Sequence, residues 1–244
     1  MSNSVLFGVL GGMGPLATLD LLQKIIEITP AKRDQEHLPV VTWNVPQIPD
    51  RQKAYAGTGD SPLPELLHAI EQLNKLNVSY IAIPCNTVHY WYPQLAQASK
   101  ASILHIVDIA TEYIASLQPR PKKVGIIATK VTLDTGMYQQ RLAKLGIEAI
   151  ILSEHELNEL FIPGCYAVKR GENVLGGELF QELATALIDR GAEKLILGCT
   201  EIPVALKTID SPLLSLSIDP AYALAEHCVK LWQQAQGTEQ LVID

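Results

Sequence analysis

Long apolar runs are missing from this chain. No stretch approaches the roughly 18–20 consecutive apolar residues that a membrane span needs. Basic runs are missing as well: 19 Lys and Arg stand against 26 Asp and Glu, a formal net charge of −7. That balance disfavours nucleic acid and anionic membrane surfaces as partners. The N-terminus, "MSNSVLFGVLGGMG", has no basic n-region and breaks into glycines, so a signal peptide is not expected. Only four cysteines occur and none form a C-x-x-C pair, so free thiols in a reducing cytoplasm are expected. Charged residues are scarce at 18%, whereas apolar ones reach 48%, which excludes disorder and supplies a core for the 244 residues.

What is present is alternation of strand and helix. β-branched-rich runs at Val5–Gly11, Leu38–Val45, Tyr80–Cys85 and Ile103–Ile109 read as strands. A helix is expected from Leu16 to about Thr29. Another is expected where Leu66, Leu67, Ile70, Leu73 and Leu76 fall at helical spacing. Such alternation predicts α/β architecture with parallel sheets covered on both faces.

The pattern then repeats. "KVGIIAT" (Lys123 to Thr129) echoes "LFGVLGG", with Gly125 lying 117 residues after Gly8. "LILGCTE" echoes "YIAIPCNT", with Cys199 lying 114 residues after Cys85. Two similar α/β domains facing each other are expected. "SIDPAYALAEHCVKLWQQAQ" (Ser217 to Gln236) reads as a helix with Asp219 as N-cap and Pro220 at N1, crossing back to the first half. The expected division is 1–107 plus 212–244 for the first domain and 108–211 for the second.

In open α/β sheets, ligands bind at the carboxyl ends of strands. Cys85 and Cys199 each end a third strand and precede a helix, so two thiols would enter one cleft from opposite sides. A helix N-terminus behind each sulfur would favour the thiolate. A lone strand cysteine is ordinarily a small core hydrophobe; two in register, each with polar neighbours, argue for chemistry. Cys165 and Cys228 lack such company and read as structural. Besides a disulfide, which the reducing compartment disfavours, three competing readings stay open here. Zinc could use Cys85 and His89 at C-x3-H spacing, although no fourth ligand is evident. "GMGPLA" (Gly12 to Ala17) matches a dinucleotide fingerprint, but Asn44 ends the second strand where a ribose-binding carboxylate belongs. The loop reads better as backbone brought close to a small ligand, which makes Met13 a candidate contact. Pyridoxal phosphate on Lys130 is the third.

"LGGMGPLAT", "QIPDR", "PCNTVH", "IIATKVTLDTGMY" and "LGCTEIP" together resemble the aspartate/glutamate racemases, most closely the aspartate racemase branch. The resemblance implies cofactor-independent racemisation of a dicarboxylic amino acid, no metal, and a homodimer. It places the catalytic thiols at Cys85 and Cys199, with Cys199 attacking the L-form and Cys85 the D-form. It places the distal carboxylate on Arg51 and Lys169, and the α-carboxylate and amine on Asn86, Thr87 and Thr200. Thr129 and Thr132 would line the cleft or cap the next helix. Hydantoin racemases and maleate isomerases share the two-cysteine plan. A small-anion binding protein would keep the cations without needing both thiols.

Overall fold

The computed structural model describes residues 5–240 of the chain, with side chains to 237. Two four-stranded parallel sheets organise it. The first contains β1 (Phe7–Gly11), β2 (Val40–Asn44), β3 (Tyr80–Ala82) and β4 (Ser102–Leu104), in the order β2-β1-β3-β4. The second contains β5 (Lys123–Ala128), β6 (Glu148–Ile151), β7 (Lys194–Gly198) and β8 (Ser217–Ile218), in the matching order β6-β5-β7-β8. The repeat visible in the sequence is therefore a repeat of topology. Cys85 follows β3, Cys199 follows β7, and these strands hold equivalent places in their sheets.

Side-chain alternation on β1 divides the core. Phe7 and Val9 face a hydrophobic cluster that continues into the second sheet through Val124, Ile126 and Ile196. Leu10 faces the opposite cluster, with Ile70, Ile81 and Ile83. All five residues of β1 are buried, as expected of a central parallel strand covered on both faces. The helix carrying the leucine repeat is Leu63–Lys75, and it buries Leu66, Ala69, Ile70 and Leu73; Leu76, at its C-cap, is exposed.

Two sequence expectations change. The apolar run Ile103–Ile109 is not one strand. β4 ends at Leu104, His105 caps a new helix through Asp108 N, and Ile106–Ser116 is helical. A short continuous apolar run suits a buried strand or a buried helix equally, and here Ile106, Val107, Ile109, Ala110 and Ile114 line a helical face. Likewise, Ser217–Ile218 is hydrogen-bonded to β7, so the residues just after 212 close the second sheet instead of joining the first. The final helix, Pro220–Gln240, starts at Pro220 as read and packs along Pro15–Ile28 and Ile106–Ser116.

A buried cation anchors that return. Lys24, only 4% exposed, pairs with Asp20 one turn earlier and with Asp219 Oδ2 at 2.6 Å. Asp219 also caps the final helix, accepting from Ala221 N at 2.9 Å. Burial opposes the Lys24 ammonium, but Asp219 and Asp20 outweigh it and raise its pKa. Lys24→Ala leaves two mostly buried carboxylates without this cation, Asp20 retaining only Lys207 at 4.0 Å, and should cost about 3 kcal/mol, read by chemical denaturation. Because the folded-state pKa is raised, the triad's contribution is full below the free lysine value. It is lost as pH climbs through the elevated one.

Candidate active site

The site forms where the carboxyl ends of the two sheets meet. An inner pocket of about 30 Å³ is lined by Met13, Arg51, Cys85, Asn86, Thr87, Thr129, Lys169, Cys199 and Thr200, together with Asp50, Gln52, Cys165, Gly198 and Glu201. The two thiols and the candidate contacts Met13, Arg51, Asn86, Thr87, Thr129, Lys169 and Thr200 are thus on this wall, whereas Thr132 is fully buried and off it, its N–H held by Thr129 Oγ1. An outer chamber of about 450 Å³ adjoins it, sharing Asp50, Arg51, Lys169, Thr200 and Glu201 and adding Pro15, Leu16, Ile48, Val168 and Val204.

The glycine loop shapes one wall. Gly12 has φ of +101°, and a Cβ there would lie 2.3 Å from the Val45 carbonyl carbon, so only glycine fits. Its N–H donates to Thr18 Oγ1 at 3.0 Å, which ties the loop to the helix Pro15–Ile28 and buries Met13 against the pocket.

Cys85 is held from behind. His89 Nδ1 lies 2.9 Å from the Cys85 carbonyl oxygen, and Ile106 N donates to His89 Nε2 at 3.3 Å. The imidazole therefore donates through Nδ1 and accepts through Nε2. Burial, then the neighbouring His105, pushes its pKa down to about 3, so it stays neutral. Both ring nitrogens are spent on backbone, which removes the C-x3-H zinc reading. Among the described residues, no group of three or more His, Cys, Asp or Glu is placed to hold a metal. Lys130 is not on the pocket wall either; its ammonium pairs with Asp134 and Glu154, each at 3.2 Å, on an exposed face.

Neither thiol is poised as a thiolate, contrary to the helix-terminus expectation. Burial raises the Cys85 pKa, opposed by the Arg51 charge and a backbone N–H at Val88. The turn behind it is a five-residue 3-10 segment, Thr87–Trp91, too short to present a developed dipole. Cys199 is raised further by its contact with Cys165, by burial and by Glu201. Its sulfur donates to Glu201 Oε2 at 2.9 Å. Cys165, read from sequence as structural, instead places its sulfur 3.6 Å from that of Cys199.

Asn86 is the most exposing detail of the polar wall. The residue is 2% exposed; Oδ1 accepts from Tyr138 OH at 2.6 Å, while Nδ2 has no hydrogen-bond partner among the described residues. A buried amide N–H pair left unmade is costly unless a ligand completes it. Tyr138 comes from the helix Met137–Lys144 of the second half, so the bond crosses the cleft and fixes which end of the amide faces inward. Thr87 Oγ1 and Thr129 Oγ1, 2.9 Å apart, make a second bridge. Thr129 also caps the helix Lys130–Asp134 by accepting from Thr132 N at 3.3 Å, so both readings of that threonine hold.

The charges are arranged for an ion with both signs. Arg51 Nη1 donates to the carbonyls of Ile48 and Pro49 at 3.1 and 3.0 Å, which sets the guanidinium at the pocket edge. Among the described residues, neither Arg51 nor Lys169 is in a salt bridge. Lys169 sits 5.1 Å over the Tyr166 ring; partial desolvation works against its ammonium, and Glu201 leads the charges that raise its pKa regardless. Asp50 is opposed by burial, yet the N–H of Lys53, the Lys169 charge and the N–H of Gln52 hold it below the usual carboxylate range.

Tyr138→Phe should therefore raise KM for an α-carboxylate substrate by about tenfold, because Asn86 loses the bond that aims Nδ2. Steady-state kinetics read it, with kcat changed far less.

Two α/β halves of the same topology, each sending a strand-end thiol into one shared polar pocket, define a duplicated two-cysteine α/β protein. The sequence profile described as Asp/Glu/Hydantoin racemase matches residues 10–228. The chain belongs to the Asp/Glu/Hydantoin racemase family, a family of amino-acid racemases. It is 27% identical over 241 residues to the broad specificity amino-acid racemase RacX of Bacillus subtilis, covering 95% of this chain and all of that protein. The aspartate racemase structure from Picrophilus torridus superposes with a TM-score of 0.82 at 28% identity, covering 94% of both chains. Glutamate racemase from Francisella tularensis, solved with D-glutamate, shares the fold at 19% identity and a TM-score of 0.68, covering 96% of this chain and 82% of that one. Among the described residues, no helix is long and apolar enough to cross a membrane.

Proposed function

We propose that this protein racemises an acidic amino acid, aspartate foremost, by a two-base thiol mechanism without a cofactor. The observation that carries the reading is the pairing of Cys85 and Cys199 from equivalent strand ends on one wall with Arg51 and Lys169, which form no salt bridge among the described residues. A dicarboxylic amino acid is complementary to that wall. Its distal carboxylate meets the Arg51 fork and the Lys169 charge, and its α-carboxylate completes Asn86 Nδ2. Asp50 and Glu201 supply negative charge for its ammonium.

In the reaction, one sulfur as thiolate takes the Cα proton. The C–H electron pair moves into the α-carboxylate, where Asn86 and the hydroxyls of Thr87 and Thr200 stabilise the charge. The opposite thiol gives its proton to the other face and becomes the next base. The sulfurs exchange roles with each turnover, which suits a reaction whose two sides have equal free energy. The inner pocket shares Arg51, Lys169 and Thr200 with the outer chamber of about 450 Å³, which gives the substrate its way in.

Because burial raises the Cys85 pKa, and the contact with Cys165 together with burial raises that of Cys199, kcat/KM for the free protein should climb with pH, its acid limb lying above the ordinary thiol value of about 8.5. A pH–rate profile checks this; a limb centred below that value contradicts it. The direct test of function is chiral chromatography after incubation with L- and D-aspartate, L- and D-glutamate and alanine. Faster turnover of the acidic pairs is expected, and equal turnover of alanine overturns the substrate assignment. One observation favours a wider range: the outer chamber carries Pro15, Leu16, Ile48, Val168 and Val204, apolar groups suited to longer side chains.

A further inference from the structure

Cys165 has no part in the reaction above, yet its sulfur touches that of Cys199 at 3.6 Å. The two come from different elements. Cys165 lies in the helix Ile162–Lys169, only 1% exposed, between the small residues Gly164 and Tyr166-adjacent Ala167 on the buried face. Cys199 stands at the end of β7, partly exposed in the pocket. A disulfide needs sulfurs at about 2.05 Å, so closing the gap takes roughly 1.5 Å of movement shared between two side chains. Cys228, by contrast, is sealed in the final helix, and Cys85 stands across the pocket wall as the other proposed acid/base.

We propose that Cys165 and Cys199 are a redox modification site: peroxide joins them in a reversible disulfide that switches the protein off and shields Cys199 from irreversible oxidation. Cys199 is the sulfur that opens to the pocket, so peroxide reaches it first. Its thiolate attacks one peroxide oxygen, the O–O bond breaks, and the departing hydroxide takes a proton to leave as water. Cys199 is then a sulfenic acid. The Cys165 sulfur attacks the Cys199 sulfur, the S–O bond breaks, and the second hydroxide leaves with the Cys165 proton as water. Two thiols and one peroxide thus give one disulfide and two waters; each sulfur is oxidised by one electron and each peroxide oxygen reduced by one. A small dithiol reverses the bond by exchange. The contact with Cys165, burial and Glu201 raise the Cys199 pKa and make the first step slow at neutral pH, so the switch answers sustained peroxide.

The loss of activity rests on the role given to Cys199, whereas the bond itself does not. The test treats the full chain with hydrogen peroxide and follows racemisation alongside a non-reducing peptide map. The expected result is a Cys165–Cys199 linked peptide that accumulates as activity falls, both reversed by dithiothreitol. Cys165→Ser, with Cys165→Ala as a second variant, should give no link. In each, Cys199 should proceed to sulfinic acid, and lost activity, scored against the untreated variant, should not return. A wild-type map in which Cys199 becomes sulfinic with no link to Cys165, or is joined to Cys85 instead, overturns the proposal. A Cys165–Cys199 link in protein that still racemises at full rate upholds the modification site and removes Cys199 from the reaction.

Discussion

Alanine at Cys85 or at Cys199 should lower the rate of interconversion by about 10²–10⁴-fold, the range a positioned acid or base supplies. The reason is geometric. The sulfurs approach from the two sheets, and inversion needs a proton removed on one face and delivered on the other. Loss of either sulfur leaves one face without its group, so the remaining cysteine cannot complete a turnover. The double variant should be scarcely worse than either single one, because the two groups act as a unit. Chiral chromatography from each pure enantiomer reads all three, and circular dichroism checks folding. Either single variant racemising at the wild-type rate would mean that its sulfur is packing, as a lone strand cysteine usually is.

The second large effect belongs to Arg51. Arg51→Ala should raise KM for aspartate and glutamate roughly 10- to 100-fold, as expected for a lost charge-assisted hydrogen-bonded pair worth about 1.5–3 kcal/mol. For alanine, which has no second carboxylate, the change should be under about threefold. Arg51→Lys keeps the charge but loses the fork, and should fall between. The backbone carbonyls of Ile48 and Pro49 hold Nη1, so the remaining N–H groups are left to read the substrate. Equal losses for aspartate and alanine would show that Arg51 supports the loop and does not read the side chain.

How much of this was legible in the sequence depends on the kind of interaction. The α/β class, the duplication and the strand-end thiols could be read because each depends on local pattern repeated at a near-constant offset. Cys85 and Cys199 stood out through their register with glycines at Gly8 and Gly125, a property of the chain itself. Cys165 and Tyr138 did not. Their importance lies in contacts with Cys199 and Asn86, 34 and 52 residues away in sequence, which only tertiary packing brings about. Glu201 carried a faint signal, since it stands inside "GCTEIP", but nothing local shows that Cys199 donates to it. The thiol pKa values could not be read either. Helix termini behind both sulfurs argued for thiolates, and tertiary packing reverses the sign, through burial at Cys85 and through the Cys165 contact and burial at Cys199. The misread run at Ile103–Ile109 has the same origin: five apolar positions fit either period until packing selects one.

Solvent deuterium is the most direct probe of the two-base claim. In deuterated water, Cys85→Ala and Cys199→Ala are each given L- and D-aspartate separately, and Cα exchange is followed by proton NMR. Each variant should exchange a single enantiomer, Cys85→Ala the L-form and Cys199→Ala the D-form, with no inversion. If one variant labels both enantiomers, or neither labels any while folded, the reacting carbon does not lie between these sulfurs.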